Sequence, residues 1–183
     1  MALRIGYAEP EDVPALQAMA IELLPDLTAL HGPDWTARLG NGRVWVESLL
    51  VVVRDSDAGD TPVGFAWGSA AMFEDSGVLE PWWCLNAVAR QPAYRGRKIG
   101  ERLVDVVREH ARKAGVVSLY GICGRSLTPW YENQGFTVLA PGQKIESDGA
   151  ARRFGNDEGT VFFGDEEGEC MFYADIDGCS LVV

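Results

Sequence analysis

The sequence predicts an α/β fold, a mixed sheet carrying helices within one domain, and three observations lead there. A chain of 183 residues, 47% hydrophobic and 10% aromatic, matches one domain in size and can bury a sizeable core. An apolar run at 83–89 leads through a glycine-bearing turn into a stretch where Ile99, Leu103, Val106, Val107, His110 and Ala114 recur every three or four residues, and a second apolar run follows at 116–123. A strand, helix, strand unit of this kind makes its two strands parallel neighbours through a right-handed crossover. Third, a β-branched run at 48–54 and an extended run at 63–71 flank an Asp- and Gly-rich turn, the pattern of a hairpin.

In chain order, Leu3 to Tyr7 alternates like a half-buried strand, and Glu9-Pro10-Glu11-Asp12 suits a helix N-terminus. Val13, Leu16, Met19, Ala20 and Leu23 then form an apolar stripe that Pro25 ends or kinks. Leu27, Leu30, Trp35 and Leu39 suggest a second helical piece before Gly40-Asn41-Gly42. After the hairpin, Glu74 to Pro81 reads as a polar connection. Beyond the second apolar run come a short helix near 127–134, Gly135 at its C-terminal cap, and a strand over 136–139. An acidic, Gly-rich insertion at about 141–168 reads as a loop or loose hairpin, and 169–176 as a last strand. No period repeats and no linker divides the chain, so 1–183 is expected to be a single domain.

Composition narrows the partners. A net charge of −11 argues against nucleic acid or an anionic membrane as the main partner. Residues 90–113 nevertheless carry eight Lys or Arg against Glu101, Asp105 and Glu109, a local +5 that leaves −16 elsewhere. That arrangement suits an anionic cofactor docking at the patch while the acidic surroundings draw in a cationic substrate. Arg102, Arg108, Arg112 and Lys113 read as the solvated face of the helix. No apolar run approaches the roughly 20 residues of a membrane span and the N-terminus lacks a signal-like order, so a cytoplasmic protein is expected. Cys84, Cys123, Cys170 and Cys179 form no CxxC pair and the only histidines are His31 and His110; neither zinc nor any other metal is expected.

Ala93 to Gly100, Ala-Tyr-Arg-Gly-Arg-Lys-Ile-Gly, is the stretch most suited to chemistry. Where a strand turns into a helix, several backbone N–H groups lie unpaired with the positive end of the helix dipole behind them, a ready phosphate site. Arg95, Arg97 and Lys98 add cations there, so backbone and charge together can hold a diphosphate.

With this turn and helix followed about thirty residues later by Tyr131-Glu132-Asn133-Gln134-Gly135-Phe136, the chain resembles the GNAT superfamily of acyl-CoA-dependent N-acetyltransferases. The resemblance covers most of 1–140 and the last strand. It implies a mixed, mostly antiparallel sheet of six to seven strands with helices on both faces and a splayed parallel pair. It also implies acetyl-CoA as co-substrate, no metal, and transfer of an acetyl group to the primary amine of a small molecule or peptide in a ternary complex. By resemblance the backbone of Gly96, Arg97, Lys98, Ile99, Gly100 and Glu101 holds the diphosphate beside Arg95, and Val88, Ala89 and Arg90 pair with the pantetheine amides like an added strand. Tyr131 matches the tyrosine that protonates the departing thiolate.

Three departures stand out. Lys98 occupies a position usually glycine, and Gly124 one where many relatives carry a CoA-contacting asparagine, with Ser126 a substitute. A general base is missing from the apolar strand at 82–88, and Leu119 stands where some relatives have a glutamate; Glu80, Glu74 and Asp75 are the nearest acids. Two alternatives therefore stay open, a non-catalytic acyl-CoA-binding regulatory module and a protein lysine or N-terminal acetyltransferase. Cys84 and Cys123 have no recognisable His or acid partner and read as core. Trp82, Trp83 and the last strand are expected to supply an apolar surface for a homodimer.

Overall fold

The computed structural model describes residues 2–27, 48–75, 78–141, 143, 145–146, 160–161 and 168–176, with the side chains of 70–81, 145–146 and 160–161 outside that description. Its strands are β1 (Leu3–Tyr7), β2 (Ser48–Asp55), β3 (Thr61–Asp75), β4 (Val78–Arg90), β5 (Ser118–Gly124), β6 (Thr137–Val138), β7 (Ile145–Glu146), β8 (Thr160–Val161) and β9 (Glu169–Asp175). Its helices are α1 (Val13–Leu23), α2 (Ile99–Lys113) and α3 (Thr128–Asn133). Seven strands form a mixed sheet of order β1-β2-β3-β4-β5-β9-β6, and β7 pairs with β8 separately. β1, β2 and β3 pair antiparallel, as do β5, β9 and β6, while β4 and β5 run parallel. The α/β class, the seven strands and the parallel pair agree with the sequence reading. Among the described residues no helix is long and apolar enough to cross a membrane.

The chain falls into two compact units, one formed by Met1–Ser69 with Asn86–His110 and the other by Ala70–Leu85 with Ala111–Val183. In the first, Leu16, Met19 and Ala20 of α1 pack with Leu50, Val52, Phe65, Ala87 and Ala89. Leu49, Val51 and Val53, pointing to the other face of β2, are equally buried, so β2 is covered on both sides. At the start of α2, a Cβ added to Gly64 of β3 would lie 2.8 Å from Ile99 Cγ2. Arg54 fastens β2 to the beginning of α1: its Nε donates to Asp12 Oδ1 at 2.9 Å and its Nη2 donates to Asp12 Oδ2 and to the Tyr7 carbonyl, while Glu9 N–H donates to Asp12 Oδ2. Both charges are nearly buried, and each needs the other.

In the second unit β5 pairs with β9 along its whole length. Trp82, Tyr120, Leu139, Met171 and Tyr173 form one apolar cluster. Tyr131 and Phe136 pack on Phe172 from the opposite side of β9. Helix α3 ends as the sequence predicts, with Gly135 at φ +78, its N–H donating to the Glu132 carbonyl and Phe136 N–H donating to the Tyr131 carbonyl. That double bond is a Schellman cap, and only glycine adopts its left-handed residue without cost.

Several expectations need correction. The polar connection at 74–81 is largely strand, because β3 runs to Asp75 and β4 begins at Val78. The cross-strand ladder holds polar residues extended although their propensity alone reads as loop. Trp82 and Trp83 are 3% and 0% exposed and fill the interior of the protein, so they offer no surface for a homodimer. Cys179, His31 and the helical piece expected around Leu30, Trp35 and Leu39 lie outside the described residues, as does most of the 141–168 insertion.

Candidate active site

The basic turn lies in the first unit and is built by its flanks. Pro92–Tyr94 makes one 3-10 turn after β4, with Tyr94 N–H and Arg95 N–H donating to the carbonyls of Gln91 and Pro92. The Tyr94 hydroxyl donates to Asp55 Oδ2 at 2.8 Å, and the Arg97 guanidinium lies 5.3 Å from the Tyr94 ring centre. Gly96 then takes φ +79 and Lys98 φ +56. Lys98 thus follows the left-handed path that glycine would follow, so the substitution leaves the backbone course intact at a cost in strain. The first bond of the α2 ladder runs from Arg102 N–H to the Lys98 carbonyl at 3.1 Å, and the N–H groups of Ile99, Gly100 and Glu101 precede it.

Side chains and backbone are segregated at this turn. Arg95, Arg97 and Lys98 are exposed, and Lys98 Nζ stands 4.0 Å from Glu101. Ile99 is buried and Gly100 and Glu101 are half-buried. Val88, Ala89 and Arg90 end β4, with Ala89 buried and the other two half-buried. Every cofactor residue proposed from the sequence is thus on the last turn of β4, the basic turn, or the first turn of α2.

Tyr131 lies in the second unit on α3. It is 6% exposed, its ring stacks on Phe172 with centres 3.9 Å apart and planes 19° apart, and Trp130 meets it edge-on. Room for the stack comes from Gly121: a Cβ there would fall 2.4 Å from Phe172 Cζ and 2.7 Å from the Leu85 carbonyl oxygen. The β4–β5 register pairs Trp82 with Ser118, Trp83 with Leu119 and Cys84 with Tyr120, and there it stops. Beyond it, Gly121 to Gly124 pair with β9.

The buried groups hold their protons. Desolvation raises the Tyr131 phenol well above its ordinary value, and the nearby thiols of Cys123 and Cys84 raise it further. Burial pushes Cys84 up to about 12 despite a hydrogen bond from Tyr120, and Cys123 up to about 11. Neither thiol is an activated nucleophile, in keeping with the core reading.

Sequence reasoning missed Tyr120, the β5 residue paired with Cys84 in the parallel register, and Thr128, whose Oγ1 is buried with no hydrogen-bond partner among the described residues. Thr128 lies one helical turn before Tyr131, on the same face of α3. It missed Phe172 too. Gly121 inside an apolar strand was the available signal, since an isolated strand glycine marks a close backbone approach. Gly124 has open space where a Cβ would stand, and Ser126 is exposed. The side chains of Glu74, Asp75 and Glu80 lie outside the described residues. No group of three His, Cys, Asp or Glu among the described residues is placed to hold a metal ion.

Within the first unit the turn fits the diphosphate of an acyl-CoA, since it keeps a glycine-like path ahead of N–H groups that precede the α2 ladder.

Solved structures share this architecture. NAA60 from Arabidopsis thaliana in complex with acetyl-CoA is 12% identical with a TM-score of 0.70, covering 97% of this chain and 100% of its own. An aminoglycoside 6'-N-acetyltransferase complexed with coenzyme A is 13% identical with a TM-score of 0.63, covering 94% and 97%. A GNAT-family acetyltransferase from Staphylococcus aureus Mu50 is 14% identical with a TM-score of 0.64, covering 96% and 100%. At such identities the likeness is one of fold, and it is the GNAT fold. No curated protein matches the sequence. The profile of the acetyltransferase (GNAT) domain matches residues 41–138, more than half of the chain, and the protein belongs to that family.

Proposed function

We propose that this protein is an N-acetyltransferase that moves the acetyl group of acetyl-CoA to a primary amine by direct attack in a ternary complex, with 1–183 acting as one unit. The seat of Tyr131 carries the reading: a protonated phenol stacked on Phe172 at Gly121, one residue past the end of the parallel register. Acetyl-CoA supplies the activated thioester. N–H groups from Gly96 to Glu101 bind the diphosphate, with Arg95, Arg97 and Lys98 adding charge, and Val88 to Arg90 pair with the amide arm. Strand N–H groups polarise the carbonyl, and the Tyr131 hydroxyl gives its proton to the leaving sulfur.

A phenol with a raised pKa is a poor acid toward a thiolate in water. The desolvation that raises Tyr131 raises buried thiols too, as Cys84 at about 12 illustrates, so a thiolate released in similar surroundings is more basic than one in water and takes the phenol proton more readily. The acceptor is a small-molecule or peptide amine, and a net charge of −11 favours a cationic one, as an aminoglycoside would be.

The left-handed Lys98 lets the turn keep its course under either reading, and the buried phenol of Tyr131 is what favours a transferase over a non-catalytic acyl-CoA-binding module. Thiol release from acetyl-CoA across a panel of amines is the test. Tyr131→Phe should lower turnover about a hundredfold or more while acetyl-CoA binding persists. Binding without release by any amine would move the protein to the module class.

A further inference from the structure

The basic turn is tied to the sheet at its start, its middle and its end, all within the first unit. At the start Gln91 N–H donates to the Val63 carbonyl at 2.9 Å and Gln91 Nε2 to the Pro62 carbonyl at 3.2 Å, both on β3. At the end the buried Ile99 packs on Gly64 of the same strand. In the middle the Tyr94 hydroxyl donates at 2.8 Å to Oδ2 of Asp55, the last residue of β2. Because β3 separates β2 from β4, this phenol reaches past one whole strand to its acceptor. Asp55 is 1% exposed, and its other oxygen accepts from Asp57 N–H at 3.1 Å. A carboxylate shut away from water depends on its donors, and the phenol is one of them. The bond is charge-assisted, and it raises the Tyr94 phenol above its ordinary pKa.

Past Tyr94 the backbone takes two left-handed residues, Gly96 at φ +79 and Lys98 at φ +56, and the Arg97 N–H bond back to the Tyr94 carbonyl is a long 3.4 Å. Arg95, Gly96, Arg97 and Lys98 are all exposed, so solvent surrounds this stretch. A solvent-facing turn with a strained residue keeps one shape only where its surroundings impose it. The Arg97 guanidinium lies 5.3 Å from the Tyr94 ring centre, so the anchored ring also sets where that cation stands. Resting on the proposed acyl-CoA binding, we infer that Tyr94 and Asp55 are positioning residues for the diphosphate: the hydrogen bond between them holds the turn and Arg97 in the shape that binds it. The pair acts through the turn and not on the reacting atoms. A turn ordered in advance loses no further freedom when the ligand arrives, and a turn released from its anchor binds only through the fraction of molecules still in that shape. Affinity for the donor is thus set in part from β2, two places along the sheet from the strand that leads into the turn.

Calorimetric titration of the full chain with coenzyme A, together with steady-state kinetics, separates positioning from a purely structural bond. Tyr94→Phe keeps the ring beside Arg97 and removes the anchor. It should raise the coenzyme A dissociation constant and the acetyl-CoA KM about tenfold, the low end for a hydrogen bond to a charged group, with kcat and the amine KM unchanged at saturating acetyl-CoA. A bond that serves stability alone would lower the melting temperature and leave both constants where they are, and that result overturns the inference. Asp55→Asn weakens the same tie, so it should raise the dissociation constant by itself and add nothing in the Tyr94→Phe background; full additivity overturns the inference as well. If Tyr94→Phe loses its cooperative melt, Asp55→Asn decides, and an unchanged dissociation constant there overturns it. A wild-type chain that takes up no coenzyme A removes the proposed donor and this assignment with it, whereas uptake that neither variant weakens removes the assignment alone.

Discussion

Lys98→Gly isolates the cost of the left-handed turn. Lys98 sits at φ +56, where a residue with a Cβ is strained by about 1–2 kcal/mol. Glycine removes that strain but enlarges the conformational freedom of the unfolded chain, which offsets about 0.4–1 kcal/mol. At mid-range the balance is a gain of about 0.8 kcal/mol. For a chain of this size 1 kcal/mol moves the melting temperature by about 2–4 °C, so the variant should melt about 1–4 °C higher in calorimetry of the free protein. Lys98→Asn is the control, since asparagine tolerates the left-handed region and lacks the charge. Coenzyme A at about 100 times its dissociation constant should add about 2.7 kcal/mol, or about 5–10 °C, to the wild type. Lys98→Gly should bind it as well or more tightly. A lower melting temperature for the free glycine variant would refute the left-handed geometry. Loss of the ligand shift in both variants would instead place the lysine charge on a phosphate.

Gly121→Ala puts a methyl group 2.4 Å from Phe172 Cζ and 2.7 Å from a backbone oxygen; we expect a loss of about 1–3 kcal/mol in chemical denaturation and a fall in turnover as Tyr131 loses its seat. Cys84 and Cys123 should resist maleimide at pH 8 in the native state, Cys84 by about a thousandfold relative to a free thiol, and react on unfolding. Because the folded thiol of Cys84 titrates near 12 against an ordinary 9.0, the folded state holds protons that the unfolded state has lost; stability should therefore decline as pH rises above about 9, read from urea midpoints. A stability that stays flat over that range would show the sulfur to be solvated.

The strand, helix, strand unit and the α3 cap were legible because each is written locally. Ile99, Leu103 and Val107 repeat at helical spacing and are buried, and Gly135 closes α3 as its position predicts. The extent of β3 and β4 was not legible, since the residues around Glu74 and Glu80 are held extended by the partner strand and not by their own preferences. Lys98 reads as a defect in the sequence and follows the glycine path in the structure, because torsion angles belong to the turn as a whole. Tyr120 escaped notice for another reason. Its significance comes from standing opposite Cys84 at the last paired position, and register is a relation between strands that no spacing along one strand reveals.

The titratable groups other than Arg90 on β4 over 82–90 and on β5 are Cys84, Tyr120 and Cys123, and desolvation raises all three, as it raises Tyr131. None of these four is expected to change charge between pH 6 and 10, so none of them serves as a base there. Under the proposed transfer the amine then arrives already neutral, and with an amine of pKa near that of lysine, roughly 10.4, its neutral fraction grows about tenfold per pH unit below that value. The initial rate at subsaturating amine should follow, rising with a logarithmic slope near one from pH 6.5 to 9 and showing no descending limb in that range. Weakly basic amines should flatten earlier, at their own pKa. A profile that levels off near pH 6 for a strongly basic amine would reveal a carboxylate base, and Glu74, Asp75 and Glu80 would be the first to replace.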